Sequence, residues 1–496
     1  MLARIRQNRA SVVIVPSDTL LELPERVVQF GTGALLRGFV EDFLHRANVA
    51  GSFSGRVVAI ASTGSSRDRA LRDQDGLYTL VVEGISDGQR VEESRIISSV
   101  SRAISAAEEW RDVLALARAP QLEYVFSNTT EVGIADDSES GMDDAPPASF
   151  PAKLTRFLFE RARHFNFDHK YGLVVVPCEL IENNGSRLRA IVSSIADRWA
   201  LGPTFVEWLA SSVPFCNTLV DRIVPGTPSE ENIGRLRDRL GYDDALLTCC
   251  EPYCLFAIEG DESLRARMTW TSIDPGIIVA PDIAPYRKRK VHLLNGAHSL
   301  LAPVALQMGC ETVLDAMNIP AINNFVRRAM LDEIVPTLNV EGAAPFAEAV
   351  LDRFRNPFIR HALIDITLQA TMKVRVRVVP SIQRCIASTG RIPSALSFGF
   401  AAFLLFMQGS VQAARRAKGL STPVDDQGAR LHSFWSEVPT DDADAMKKLV
   451  SMICSDTTLW GTDLTSLPGF CDAVAGDLSR IRAQGMAVAL DHLAAS

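Results

Sequence analysis

The chain has 496 residues, 47% of them hydrophobic and 22% charged, with a formal net charge of -8 at neutral pH. That acidic excess argues against a nucleic-acid or anionic-membrane partner. The length exceeds what a single core normally organises, so two soluble domains are expected.

Met1 to Arg9 carries charge with no apolar run after it, so it does not read as a secretory signal. Arg26 to Phe30 reads as a strand, Gly31-Thr32-Gly33 as a turn and Ala34 to Ala47 as a helix. Paired glycines there let a pyrophosphate approach backbone N–H groups, which makes Phe30, Gly31, Gly33 and Arg37 candidates for holding a dinucleotide. Leu36 stands where a third glycine is usual, and a plain strand-to-helix turn is the alternative. The second strand, Arg56 to Thr63, runs into Gly64-Ser65-Ser66-Arg67 without the carboxylate that an adenine ribose usually meets. Hydroxyls with Arg67 or Arg69 suit a 2′-phosphate or a solvated loop, which leaves NAD and NADP both open.

Further strands are expected at Leu77 to Glu83, Glu123 to Ser127 and Gly172 to Val176, and helices at Ala106 to Ala117 and Pro151 to His164. Strand–helix alternation with strands apolar on both faces predicts a parallel, doubly wound Rossmann-like sheet. Glu131 follows a strand at the edge where such sheets place ligands, and is either an orienting acid or a solvated loop residue. Asp221-Arg222 follows an apolar run and is either a structural ion pair or a substrate contact. Nine cysteines show no regular spacing, and Cys249-Cys250-Glu251-Pro252-Tyr253-Cys254 lacks the second pair a structural zinc requires. They are expected to be free thiols in a reducing, cytoplasmic setting.

Asp274-Pro275-Gly276 and Pro281 to Pro285 mark a boundary. It separates a dinucleotide-binding domain, 1–284, from a mainly α-helical substrate and catalytic domain, 285–496. Helices are expected at Val291 to Met308, Cys310 to Met317, Ala321 to Leu331, Pro345 to Asp352, Ile359 to Leu368, Ser394 to Ala417 and Thr440 to Cys454. The longest apolar run, Ala395 to Met407, is too short to span a bilayer and reads as a buried helix.

Lys290-Val291-His292-Leu293-Leu294-Asn295-Gly296-Ala297-His298 is the most informative stretch. On an α-helical wheel Leu294, Ala297 and Leu301 fall within about 40° of Lys290, with His298 near 80° and Asn295 near 140°, as rough positions. A lysine on an apolar face either reaches water with its head or sits where burial tunes it for proton transfer. The other histidines, at 45, 164, 169, 292, 361, 432 and 492, show no metal-ligand spacing.

Several segments occur together in one order. They are Gln29-Phe30-Gly31-Thr32-Gly33 with Arg37, Gln74-Asp75-Gly76-Leu77-Tyr78-Thr79, and Ser127-Asn128-Thr129-Thr130-Glu131-Val132-Gly133. Pro177-Cys178-Glu179-Leu180-Ile181 with Asn184-Gly185, Asn217 with Val220-Asp221-Arg222, and Lys290, Asn295 and His298 follow. A fainter match continues through Asn356-Pro357-Phe358-Ile359-Arg360. In these the chain resembles the polyol-specific long-chain dehydrogenases, the mannitol dehydrogenase family.

The resemblance implies a zinc-independent oxidoreductase that moves hydride between NAD and a secondary alcohol carbon of a small sugar acid or polyol. It implies that Lys290 is the general acid/base, that Asn295 polarises the carbonyl and that His298 holds substrate. It favours a place near the substrate for Asp221 and Arg222, and Asn184 is the candidate to replace an asparagine contact of the polyol branch. Thr130 and Glu131 are candidates for the cofactor, and Arg360 could clamp a substrate carboxylate, a surface helix arginine being its alternative. Mannitol-type members carry Asp-Asn after the cysteine matching Cys178, whereas Glu179-Leu180 and Ser127 to Glu131 have the form of the uronate branch. A ketohexuronate–aldonate pair is therefore expected, with Arg360, Lys373 and Arg375 as candidate carboxylate donors. A mannitol- or arabinitol-type polyol dehydrogenase is the alternative, and a non-catalytic dinucleotide-binding protein a more distant one.

Overall fold

The computed structural model describes residues 16–61, 66–129, 133–136, 138–225, 228, 230–438 and 442–495. Its described strands, in chain order, are β1 (Glu25–Phe30), β2 (Arg56–Ala61), β3 (Tyr78–Ser86), β4 (Gln89–Ile97), β5 (Val100–Ser105) and β6 (Tyr124–Ser127). They continue with β7 (Val174–Pro177), β8 (Thr218–Asp221), β9 (Thr248–Cys250), β10 (Leu255–Glu259) and β11 (Ile277–Ala280). The chain divides into two compact units. One comprises Met1–Gly84 and Arg90–Ile283, the other Ile85–Gln89 and Ala284–Ser496.

In the first unit a five-stranded sheet has the order β5-β2-β1-β6-β7, and each neighbouring pair is parallel. Successive strand residues face opposite sides. Val27, Val57, Phe126 and Val174 therefore enter one apolar cluster and Val28, Phe30, Val58 and Val125 another. The first face packs on helix Val40–Ala50 and on the small sheet β11-β10-β8 with Trp270. Helices Trp110–Leu116, Phe150–His164, Asn184–Arg198 and Pro203–Ser212 cover the second face. Phe150–His164 starts where the Ser149 hydroxyl accepts from the Ala152 N–H, with a proline in the first turn whose missing donor costs nothing there.

Two departures from the sequence expectation concern this unit. The segment expected as one helix from Ala34 to Ala47 is two, Ala34–Arg37 and Val40–Ala50, broken at Gly38-Phe39. The strand expected at Leu77 to Glu83 joins a separate sheet, β4-β3-β9, instead of the parallel one. Its alternation resembles that of a central strand, and only pairing partners distinguish the two.

The second unit is built of helices. Ser394–Phe406 is buried from Ala395 to Phe406, which explains its apolar sequence. The Glu333 carboxylate accepts from the backbone N–H groups of Ala395 and Leu396, both at 2.8 Å, and so satisfies the start of that buried helix. The expected run from Ser394 to Ala417 is bent by 63° between Phe406 and Gly409. Among the described residues no single helix is long and apolar enough to cross a membrane.

Candidate active site

In the first unit the chain leaves β1 where strand order reverses, with β2 on one side and β6 on the other. That crevice is where open α/β sheets bind ligands. Gly31 there has φ +117°, and a Cβ on it would lie 2.9 Å from the Asn128 carbonyl oxygen, so glycine is required. Its N–H donates to the Ile60 carbonyl at 2.9 Å, and the Asn128 N–H donates to the Phe30 carbonyl at 3.1 Å. The turn is thereby tied to both neighbouring strands. Apart from its chain neighbours, no atom of the described residues lies within 4 Å of where a Gly33 Cβ would stand, which leaves room there for a phosphate. Leu36, in the place of a third glycine, is buried and packs toward Gly31.

Beneath the turn is a buried polar network. The Gln29 carboxamide donates to the Gly31 carbonyl at 2.9 Å and to Glu41 Oε1 at 2.7 Å. The Tyr78 hydroxyl lies 2.8 Å from both Glu41 Oε2 and the Arg37 carbonyl. Burial pushes the Glu41 carboxyl above the usual carboxylate range, against the hydrogen bonds from Gln29 and Tyr78. Arg37 spends its donors on the protein, Nε on Thr248 Oγ1 at 2.9 Å and Nη1 on the Thr32 carbonyl at 2.6 Å. The expected cofactor contacts thus divide. Gly31 and Gly33 form the turn, Phe30 packs in the core against Phe150 with ring centroids 5.2 Å apart, and Arg37 braces the turn from below. Thr130 and Glu131 lie outside the described residues.

Two acids to which the sequence assigned no contact stand at this edge. The Thr32 hydroxyl donates to Asp68 Oδ1 at 2.8 Å, and Asp68 is buried. Glu179 accepts from the Ser127 hydroxyl and from the Thr129 N–H and hydroxyl, each at 3.0 Å. Burial raises its pKa and these donors oppose the rise. The clue to Asp68 was its place three residues into a helix beside a hydroxyl-bearing turn. Glu179 gave none beyond the Ser127-x-Thr129 spacing.

The expected substrate contacts in this unit are occupied by protein. Asn184 is fully buried; its Nδ2 donates to Pro177 O, Glu179 O and Thr218 Oγ1, while its Oδ1 accepts from the Thr218 N–H. Arg222 donates to Glu251 O, Gly38 O and Asp42 Oδ2, each at 2.9 Å. Burial pushes the Asp42 carboxyl up, but Arg222, Arg95 and Arg46 together hold it below the usual range. Asp221 ends β8, buried and opposite Leu255 of β10.

In the second unit a long helical segment carries the remaining candidates. Its first part is Ala284–Arg289, its last Gly296–Gln307, and Lys290–Asn295 between them is wound as a π-helix. The Gly296 N–H reaches back to the Val291 carbonyl, five residues earlier. Such bulges absorb one extra residue. Eight residues then turn the chain through about the angle of seven, so His298 comes within about 20° of Lys290 and Asn295 within about 40°. The plain wheel had set them roughly 80° and 140° away.

Lys290, Asn295 and His298 are each half-buried. The His298 ring stacks on Phe354 at 4.2 Å and meets His361 edge-on at 4.9 Å. Its Nε2 is shielded from solvent and has no hydrogen-bond partner among the described residues. Burial drives its pKa well below the ordinary histidine value, and His361, Arg353, Arg377 and Lys373 push the same way, so the imidazole is neutral. His292 fastens the bulge. Its Nδ1 lies 3.0 Å from the Arg377 carbonyl, which makes that nitrogen the donor, and Nε2 faces Arg384 Nη1 at 3.3 Å as acceptor. Burial pulls its pKa down to about 4. Arg360, expected to clamp substrate, has a side chain 80% exposed and paired with Glu311 at 3.3 Å. That is the surface position weighed as the alternative for this arginine. Among the described residues no group of three or more His, Cys, Asp or Glu is arranged to hold a metal.

Comparison with known proteins matches residues 25–272 to the Mannitol dehydrogenase Rossmann domain and residues 282–482 to the Mannitol dehydrogenase C-terminal domain. Altronate oxidoreductase of Escherichia coli O1:K1 / APEC is 40% identical over 478 residues, 95% of this chain and 97% of that protein. The protein of the same name from Escherichia coli strain K12 / MC4100 / BW2952 matches to the same extent. Two solved structures share the fold. Pseudomonas fluorescens mannitol 2-dehydrogenase, in a ternary complex with NAD and D-mannitol, has TM-score 0.64 at 23% identity, covering 98% of this chain and 97% of that one. A D-sorbitol dehydrogenase in substrate-free form has TM-score 0.76 at 20% identity, covering 96% and 97%.

Proposed function

The chain belongs to the mannitol dehydrogenase family and is a dehydrogenase acting on CH–OH groups, and from that premise we propose that it interconverts a ketohexuronate and an aldonate with NAD(H). The observation that carries this reading is the π-wound Lys290–Asn295 segment, whose one absorbed residue brings Lys290, Asn295 and His298 to within about 40° on the helical wheel, with cations around a neutral imidazole. A bound nicotinamide dinucleotide supplies the hydride. In the reducing direction the Asn295 carboxamide donates to the substrate carbonyl oxygen, where negative charge grows as hydride arrives. The Lys290 ammonium gives its proton to that oxygen, and solvent restores it; in the oxidising direction the neutral amine takes the proton. His298 Nε2 holds a substrate hydroxyl, because a neutral imidazole nitrogen buried without a partner gains most from one.

Gly31 and Gly33 fit a pyrophosphate, the first by its conformation and the second by the space above it. NAD is proposed over NADP on the likeness to the mannitol 2-dehydrogenase solved with NAD. Arg37, Asn184 and Arg222 serve as positioning residues that hold the turn and the strand ends. The substrate preference rests on altronate oxidoreductase, 40% identical over 95% of the chain.

Initial rates with NADH and NADPH against tagaturonate, fructuronate and fructose test this reading. The highest kcat/KM is expected with NADH on tagaturonate, unchanged after dialysis against EDTA. Equal or higher kcat/KM on fructose would transfer the assignment to a polyol dehydrogenase, and a tenfold preference for NADPH would reverse the cofactor.

A further inference from the structure

We infer that Arg377 is the specificity-determining residue that binds the distal carboxylate of the substrate. The inference rests on the uronate reading above. Arg377 ends helix Ala370–Arg377 and is half-buried, and burial alone pulls its pKa down to about 10. A cation moved partly out of water is stabilised by an anion, yet no carboxylate pairs with this one among the described residues. Some arginines of the same unit have such partners, as in Arg327–Glu348 at 2.6 Å and Arg480–Asp477 at 2.8 Å; Arg384, which has none, is turned to His292 and Ser381 instead.

Its orientation is fixed from one side. Nη1 donates to Ser299 Oγ at 3.3 Å, and that hydroxyl donates onward to the Asn295 carbonyl at 2.9 Å. The guanidinium is thus tied to the helical turn that carries Asn295 and His298. Nε and Nη2 have no protein partner among the described residues and keep the two-pronged geometry that receives a carboxylate. Its charge is felt at His298, where it helps keep the imidazole neutral.

The neighbouring cations are less suited. The Lys373 ammonium donates to the Ile366 carbonyl at 3.0 Å and presents a point charge, Arg353 is buried with its interactions inside the protein, and Arg375 is exposed. A carboxylate at Arg377 supplies the missing countercharge, whereas the hydroxymethyl end of a neutral ketose leaves the guanidinium uncompensated. Discrimination between the two substrates follows from that difference.

The experiment compares kcat/KM on tagaturonate and on fructose for the wild type, Arg377→Leu and Arg377→Lys, with NADH binding and thermal melting as folding controls. Loss of a charge-assisted contact lowers the tagaturonate-to-fructose ratio by about 10–100-fold in Arg377→Leu, mainly through KM, and less in Arg377→Lys. If the Leu variant melts early, the Lys variant carries the test through the same ratio. A wild type that prefers tagaturonate and a ratio within about twofold of wild type in the folded variants overturns the role of Arg377 alone. A wild type without that preference overturns the uronate reading itself, and this inference with it.

Discussion

Lys290 shows how far single residues could be read from the chain. A lysine one helical stretch from a carboxamide and an imidazole is a candidate for proton transfer, the alternative being a stem laid on the core with its head in water. Lys290→Ala is expected to lower kcat by about 10²–10⁴-fold, the usual worth of general acid/base transfer. Titration of intrinsic fluorescence with NADH should meanwhile give a near-normal Kd, and a kcat close to wild type would remove Lys290 from the mechanism. Asn184 and Arg222 are the instructive contrast. Asn184 was a substrate candidate and Arg222 either that or a structural ion pair; in the fold Asn184 bonds to strand ends and Arg222 to Asp42 and Gly38. A residue type that suits a ligand equally suits the backbone groups a sheet edge leaves over, and only position separates the two uses. Arg377 escaped notice for the converse reason. Nothing local distinguishes it from Lys373 and Arg375 until burial and the missing carboxylate are visible.

Among the elements, the strand-turn-helix at residues 25–50 was legible because glycine reports backbone conformation directly. Gly31 and Gly33 nevertheless differ in kind, and substitution separates them. Gly31→Ala is expected to cost about 1–3 kcal/mol of stability, since it forces a non-glycine residue into φ +117° against the Asn128 carbonyl. Gly33, at φ -68° with open space where its Cβ would be, accepts alanine without strain. Gly33→Ala should therefore leave urea unfolding unchanged or stabilise it by about 0.4–1 kcal/mol, while weakening NADH binding at least tenfold. Undiminished NADH affinity in Gly33→Ala would show that no phosphate occupies that space. The π-wound Lys290–Asn295 was not legible at all. Hydrophobic periodicity assumes a constant angle per residue, and one absorbed residue shifts everything after it without leaving a mark in composition.

For the molecule as a whole, the division into an α/β part and a helical part follows from alternating short apolar runs giving way to long amphipathic ones. The pairing of those runs did not follow, as β3 in its separate sheet shows, because alternation encodes burial and not neighbours. Acid stability is a property of the same scale. His45 in the first unit and His292 in the second are buried and neutral, each with its pKa pulled down to about 4 from 6.5. The unfolded chain binds these protons first, so the stabilisation is complete above pH 6.5 and is lost as pH falls from 6.5 through 4. At about 1.4 kcal/mol per tenfold difference in proton affinity, each accounts for about 3 kcal/mol. Urea midpoints should drop between pH 7 and pH 4.5, and His292→Gln should flatten that drop; an unaltered slope would refute the assignment. The position of β1 at the middle of its sheet has a consequence for biogenesis. It leaves the ribosome first among the five strands, yet Arg26 meets its partner Glu123, at the start of the β6 side, 97 residues later. At roughly 5–20 residues per second the nascent chain carries Val27, Val28 and Phe30 with one unpaired edge for about 5–20 seconds. That interval is long enough for chaperone capture or for pairing with a neighbouring polysome product along the edge that β6 later covers.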